Sequence, residues 1–329
     1  MALTLTACGS SDKQASSDSS AGGSGHTYKI GISQIVEHPS LDLVVKGFKS
    51  EIAKAGLKVT YDDENAQNDQ SNAAAIADQF ANDKKMDLML GIGTPAAQAI
   101  VNDEQTRPVL FAAVTDPVAA QLVPSLKASG TNVTGTSDAN PESKPVALIK
   151  QILPNAKTIG VLYSSAEVNS EVQVKAFKQE AAGLGITIKE ESITNSSEVG
   201  TGIEALKDTD AVLIPTDNTV VSAIDTVVSF CEDNDLPLFS ADADSVAQGT
   251  IATRGLSYLQ LGVATGDMAV KILKDGVKAG SIPTDVVETT QLKYNSVAAQ
   301  KMGVTLPSSV TGTAGAIDVS KESASPSAS

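Results

Sequence analysis

The 329-residue chain has no tryptophan, two cysteines, two histidines and only 3% aromatic residues. That is too little material for a disulfide framework or a Cys/His zinc site, so neither metal nor cofactor is expected. Basic charge is also short: 24 Lys and Arg stand against 39 Asp and Glu, a net charge of −15. Such a chain is a poor match for nucleic acid phosphates, and no nucleic acid partner is expected. No run approaches the ~20 consecutive apolar residues of a membrane-spanning helix. The chain does have 41% hydrophobic and 19% charged residues, which supports an extensive core and excludes wholesale disorder. Its length suits about two domains of ~100–200 residues.

The ends differ from the middle. Leu5-Thr6-Ala7-Cys8 resembles the lipobox of a bacterial lipoprotein signal peptide, in which the Cys thiol receives a lipid. Cys8 is therefore the expected lipidation site. Residues 9–25 are rich in Ser and Gly and suit a flexible tether, so residues 1–27 are read as a lipobox remnant and linker. Residues 311–329 end in Ser-Ala-Ser-Pro-Ser-Ala-Ser and are expected to be a disordered tail. Cys231 lies in an apolar helical stretch and is expected to be buried.

Between the ends, short β-rich runs alternate with helical patterns, the signature of βαβ units and a parallel sheet. In the first half the runs cover 28–33, 57–61, 87–91 and 108–114; in the second they cover 158–163, 186–189, 211–214 and 237–240. The similar spacing of the two sets points to a structural duplication. Leu41, Val44, Val45, Phe48, Ile52 and Ala55 recur at helical spacing before Gly56, and Val172, Val174, Phe177, Ala181 and Leu184 do so before Gly185. Each half therefore reads as a doubly wound α/β lobe. A long helix near Leu259–Leu273 is expected to return the chain to the first lobe.

In open parallel sheets, ligands bind beyond the carboxyl ends of the strands. The first polar residues after each run are therefore the candidates. They are Gln34, Glu37 and His38, then Thr94, then Thr115 and Asp116 in the first half; in the second half they are Tyr163, Glu167, Asn169 and Ser170, then Asp217 and Asn218, then Asp242. Asp138 lies between the halves. Thr94 before Pro95 and Asp116 before Pro117 have the form of helix caps, whose free N–H groups favour an anion. Carboxylates such as Asp138, Glu167 and Asp217 suit an ammonium.

Other chemistries fit less well. Gly91-Ile-Gly93-Thr94-Pro95-Ala96 matches G-x-G-x-x-A, but it follows the third strand, and Pro95 removes an N–H that pyrophosphate would use. No G-x-x-x-x-G-K-[ST] occurs. His38, the only His of the folded part, has Glu37 and Asp42 near it, but no G-x-S-x-G elbow accompanies it, so it is read as shaping the loop and donating a hydrogen bond at the cleft. A surface hydrolase is therefore not favoured.

A lipobox, a Ser/Gly tether and two similar lobes resemble a type I solute-binding protein of an ABC transporter. The run Gln34-Ile35-Val36-Glu37-His38-Pro39 is similar to the tryptophan/tyrosine-type family of such proteins, as are Gly93-Thr94-Pro95, Thr115-Asp116-Pro117, Val133–Asp138, Glu167-Val168-Asn169-Ser170 and Thr216-Asp217-Asn218. The likeness runs from about Tyr28 to Pro307. It implies two doubly wound α/β lobes joined by a three-crossing hinge, with the crossings near Thr136–Pro141, Arg254–Gly255 and Pro283–Val287. Residues 28–137 and 256–283 would form one lobe, and 138–255 with 284–310 the other. It also implies a monomeric, non-enzymatic receptor, lipid-anchored to the outer face of the membrane, that captures an amino acid and passes it to ABC permease subunits. Thr94 and Thr115 would take the ligand carboxylate, an acid among Asp138, Glu167 and Asp217 the ammonium, and Tyr163 with Tyr258 an aromatic side chain. A sensory ligand-binding module, or an importer receptor for a nucleoside or sugar, is the alternative.

Overall fold

The computed structural model describes residues 26–140, 143–287 and 290–322; the lipobox with Cys8, the tether, and Pro141 of the first expected crossing lie outside them. The first lobe runs β1 (Tyr28–Gln34), α1 (Pro39–Lys54), β2 (Val59–Asn65), α2 (Gln70–Asn82), β3 (Leu88–Ile92), α3 (Thr94–Asp103), β4 (Val109–Ala112) and β5 (Val133–Ser137). The second runs α4 (Pro145–Ile152), β6 (Thr158–Ser164), α5 (Val168–Gly183), β7 (Thr187–Ile193), α6 (Val199–Ala205), β8 (Ala211–Ile214), α7 (Asn218–Val221), α8 (Ile224–Asp233), β9 (Leu238–Ser240), α9 (Ser245–Gln248) and β10 (Ala252–Leu256). The chain then returns through α10 (Tyr258–Leu273) and β11 (Asp285–Val286), and finishes with β12 (Thr290–Tyr294), α11 (Ser296–Lys301), α12 (Ser308–Thr311), β13 (Ile317–Asp318) and α13 (Val319–Glu322).

The duplication is visible in the strand orders, β2-β1-β3-β4 in one sheet and β7-β6-β8-β9 in the other, with parallel pairs throughout. Both orders reverse direction after their first strand, at β1/β3 and β6/β8, and that switch point opens a crevice at the strand carboxyl ends. Both sheets are covered by helices, so the central strands read as nearly continuous apolar runs, as in Leu88–Ile92 and Ala211–Ile214, all buried. Each lobe has its own core. Phe48, Phe80 and Phe111 fill the first, and Phe177, Phe239 and Cys231 belong to the second. Cys231 is a free thiol whose pKa burial pushes up to about 12, which keeps it protonated.

The returning helix α10 lies on α1 at backbone contact distance. A Cβ on Gly47 would come within 2.3 Å of the Leu259 carbonyl oxygen, and one on Gly262 within 2.1 Å of the Val44 carbonyl oxygen. Only glycine permits that approach. The segment carrying Tyr258 is thereby held to the first lobe.

Two expectations are corrected. β11 pairs with β5 in the first lobe's sheet, so that lobe extends through Val286 and not only to Pro283. The chain from Thr311 to Glu322 is also ordered: β13 pairs with β12, and the Asp318 carboxylate accepts hydrogen bonds from the Ser296 hydroxyl and the Ser320 hydroxyl. Its polar composition hid a short strand that adds to an existing sheet edge. No helix among the described residues is long and apolar enough to cross a membrane.

Candidate functional site

The two switch points face each other. From the first lobe come His38 and Ser40 at the start of α1, and Ala113 and Thr115 after β4; from the second come Asn169 in α5, Thr216–Asn218 before and at the start of α7, and Asp242 before α9. Asp138 follows β5 at the first crossing, and Tyr258 opens α10 after the second. These residues line one enclosed cavity of about 10 Å³. That volume matches one water-sized group. Lys and Arg are both missing from its lining, whereas three carboxylates reach it. Ala113 sits in the left-handed region at φ 55°, which ends β4 at Ala112, short of the expected Val114.

The carboxylates differ in how well they are satisfied. Asp217 is 1% exposed; one oxygen accepts the Val220 N–H at 2.7 Å, and the other accepts the Ser164 N–H and the Ser170 hydroxyl, both at 2.6 Å. Burial, and then the Glu167 charge, push its pKa up to about 7. Asp242 accepts hydrogen bonds from the Ser245 N–H at 2.8 Å and the Ser245 hydroxyl at 2.6 Å. Asp138 has one oxygen on the Tyr258 hydroxyl at 3.1 Å, while its buried Oδ1 has no partner. Burial raises its pKa. The Asn169 side-chain carbonyl, also buried, is a second acceptor without a donor. An unpartnered buried acceptor is costly, so two of them beside one cavity mark where a donor belongs.

Glu167 plays another part. Its Oε1 accepts the Thr219 N–H and hydroxyl at 2.9 and 2.8 Å, and its Oε2 accepts the Asn218 N–H, the Asn218 side-chain amide and the Asn169 amide at 3.1, 2.6 and 2.9 Å. All its capacity is spent within the lobe, and it is not part of the cavity wall. The expectation that it meets an ammonium is corrected: it braces Asn169 and Asn218. Ser170 likewise gives its hydroxyl to Asp217 and stands behind the wall.

Five further candidates, Gln34, Glu37, Tyr163, Thr94 and Asp116, do not reach this small cavity. Gln34 donates to the Val36 carbonyl and to Asp42, both at 2.8 Å, and with the exposed Glu37 it lines a groove on the far side of the β1–α1 loop. Tyr163 points into a groove formed with α5 and β7 on the outside of the second lobe, because alternation along β6 sends its buried successor Ser164 the other way. Thr94 is the first residue of α3 and not its cap; its hydroxyl is buried without a partner but lies outside the cavity lining. Asp116 accepts the Val118 and Ala119 N–H groups in a turn, and no helix follows. It lies instead on a second, wider groove. Leu41, Ala113 and Val221 were not among the candidates, while Ser40 and Thr216, which stand beside candidates after their strands, also join the wall.

That wider groove, about 680 Å³, shares Thr115, Asp138, Thr216 and Tyr258 with the cavity. Its remaining wall includes Pro145, Val172, Phe177 and Leu256. The lobes are drawn together over the cavity by bonds between them: the Asn68 amide donates to the Thr219 hydroxyl at 3.0 Å, the Gln70 amide to the Ala166 carbonyl at 2.9 Å, and the Gln173 amide to the Thr115 hydroxyl at 3.3 Å. Asn68 and Gln67 both hold positive φ, 57° and 55°, to present this edge.

Comparison with known proteins agrees with this geometry. Residues 29–317 match the family model of the ABC transporter substrate binding protein. The chain is 39% identical over 297 residues to a tyrosine-binding protein of Clostridioides difficile, covering 88% of this chain and 86% of the relative. A Streptococcus pneumonia ABC domain in complex with L-Trp is 40% identical with a TM-score of 0.85, and a ligand-free, open substrate binding protein from Clostridium difficile is 41% identical with a TM-score of 0.65; each comparison covers 88% of this chain and 99% of the other. The chain belongs to the ABC transporter substrate-binding protein family, whose members are extracytoplasmic receptors with the type I periplasmic-binding-protein fold.

Proposed function

We propose that the protein captures an L-amino acid with an aromatic side chain between its lobes. The observation that carries this reading is the cavity of ammonium size, lined by Asp138, Asp217 and Asp242 without Lys or Arg, in which Asp138 Oδ1 and the Asn169 carbonyl have no donor. A ligand ammonium supplies the missing donors and the missing positive charge. From there the side chain extends into the wider groove past Tyr258 toward Val172, Phe177 and Leu256. The ligands of the two relatives, tyrosine and L-Trp, are of this class.

The same reading gives the chain its place in an importer. One chain carries both walls of the cleft, which is what a monomeric receptor needs, and closure on the ligand would create the surface that ABC permease subunits recognise. Cys8 in Leu5–Cys8 would hold the lipid anchor. Thermal unfolding of the purified chain tests the ligand class. L-tyrosine and L-tryptophan should raise Tm by mass action on the native state, whereas glucose and adenosine should leave it unchanged. A shift with the sugar or the nucleoside and none with any L-amino acid would overturn the assignment.

A further inference from the structure

Tyr258 is tied to two parts of the molecule at once. It is 4% exposed, and it opens α10, the helix whose Gly262 permits backbone contact with α1. Its hydroxyl therefore occupies a place set by the first lobe. That hydroxyl donates to Asp138 Oδ2 at 3.1 Å. Asp138 is the first residue beyond β5, and nearby the Asn140 amide donates to the Arg254 carbonyl at 2.8 Å, joining the first and second crossings. The tyrosine thus holds one oxygen of a hinge residue's carboxylate, with the Thr115 hydroxyl also acting on the group, while the buried Oδ1 has no hydrogen-bond partner in a residue that lines the cavity.

A buried carboxylate with one free oxygen has two ways to lower its energy before a ligand arrives: it can take up a proton, or it can rotate to find another donor. The Tyr258 hydrogen bond opposes both, because it stabilises the anion and fixes the plane of the group. We propose that Tyr258 is a positioning residue that keeps Asp138 ionised and aimed, so that the ligand ammonium meets a prepared acceptor. The inference rests on the reading that Asp138 receives the ammonium.

The other groups facing this pair are His38 from the start of α1, the Thr115 hydroxyl after β4, Asp217 before α7, and Asp242 and Asp244 ahead of α9. None changes in the variants below, so a difference between profiles belongs to the pair. Ammonium binding requires the Asp138 anion, so affinity weakens as pH falls through the Asp138 pKa. Removing the donor raises that pKa and moves the weakening to higher pH.

The experiment is calorimetric titration of the full chain with L-tyrosine and L-tryptophan between pH 5 and 9, for wild type, Tyr258→Phe, Asp138→Asn and the double variant. Tyr258→Phe keeps the ring. It should bind roughly tenfold more weakly at pH 7, the scale of one hydrogen bond to a charged group. The loss should shrink toward pH 9, and the two substitutions should not add, because in the Asp138→Asn background there is no anion to hold. Equal affinity of Tyr258→Phe and wild type at every pH, or a loss of the same size at every pH, would overturn the proposal; the second result would mean packing alone. If Asp138→Asn itself binds as tightly as wild type, the ammonium reading fails and not merely the role of Tyr258. Far-ultraviolet melting without ligand verifies that each variant is folded.

Discussion

The two lobes share a strand order but finish their cleft edges differently. In the second lobe, Glu167, Asn169, Ser170, Asp217, Asn218 and Thr219 bond to one another, so that the edge is built and braced without a ligand. In the first lobe, the Ser33 and Thr94 hydroxyls and His38 Nδ1 are buried with no partner, whereas the one such atom among the second lobe's cavity-lining residues is the Asn169 carbonyl. A doubled architecture therefore carries one wall backed by a bonded network and one with more unpartnered groups at its strand ends. Accounting for donors separates the residues that hold the wall from those that face into it.

Breaking the brace should have the largest effect. Glu167→Ala leaves five donated hydrogen bonds without their acceptor. The expected loss is about 3–5 kcal/mol of stability, read by urea denaturation, together with loss of L-tryptophan binding. If Glu167→Ala melts like wild type, the second wall is not prepared in the way its bonds indicate. Next comes Asp138→Asn, which removes the anion but keeps the volume. Affinity for L-tyrosine should fall at least about tenfold with little change in Tm, because the free oxygen was not contributing to stability.

Asn68→Gly probes closure alone. Glycine accepts the positive φ but cannot donate to Thr219, so the chain should fold normally and bind roughly three- to tenfold more weakly in calorimetry. Unaltered affinity would show that this bond forms without contributing to the closed state.

Asp217 gives a pH effect of known sign. Its folded pKa of about 7 lies above the ordinary value of 3.8, so the unfolded chain releases this proton first as pH rises. The contribution of Asp217 to stability is complete below about pH 4 and declines progressively to about pH 7. In Asp217→Asn, denaturation midpoints compared at pH 4.5 and 7 should lack that decline, whatever the variant costs overall. Smallest of all, Tyr163→Phe on the outside of the second lobe should leave affinity within about twofold of wild type, whereas a large loss would return it to the cleft.

Much of the site's location could be read from the first residues after each strand. Thr115, Asp138, Asn169, Asp217, Asn218 and Asp242 all reach the cavity wall, because the parallel order sends every strand's carboxyl end to the same side. Gln34 and Tyr163 satisfy the same rule yet face away. A one-residue change of strand parity reverses a side chain, and sequence spacing does not resolve it at a strand end. Glu167 and Asp138 look equivalent in the chain: each is an acid near a turn. What distinguishes them is five donors against one, and most of those donors come from a segment about fifty residues away for Glu167 and 120 residues away for Asp138.

Local pattern thus determined the two α/β lobes, the duplicated rhythm and the side of each sheet on which chemistry gathers, since apolar periodicity and strand direction are properties of contiguous sequence. Only the tertiary structure decided which acids are saturated, how closely the lobes approach, and that the polar stretch after Thr311 adds β13 to a sheet edge. These outcomes depend on hydrogen-bond partners and packing surfaces supplied from distant parts of the chain, and a buried carboxylate becomes brace or binding group according to what folding brings to it.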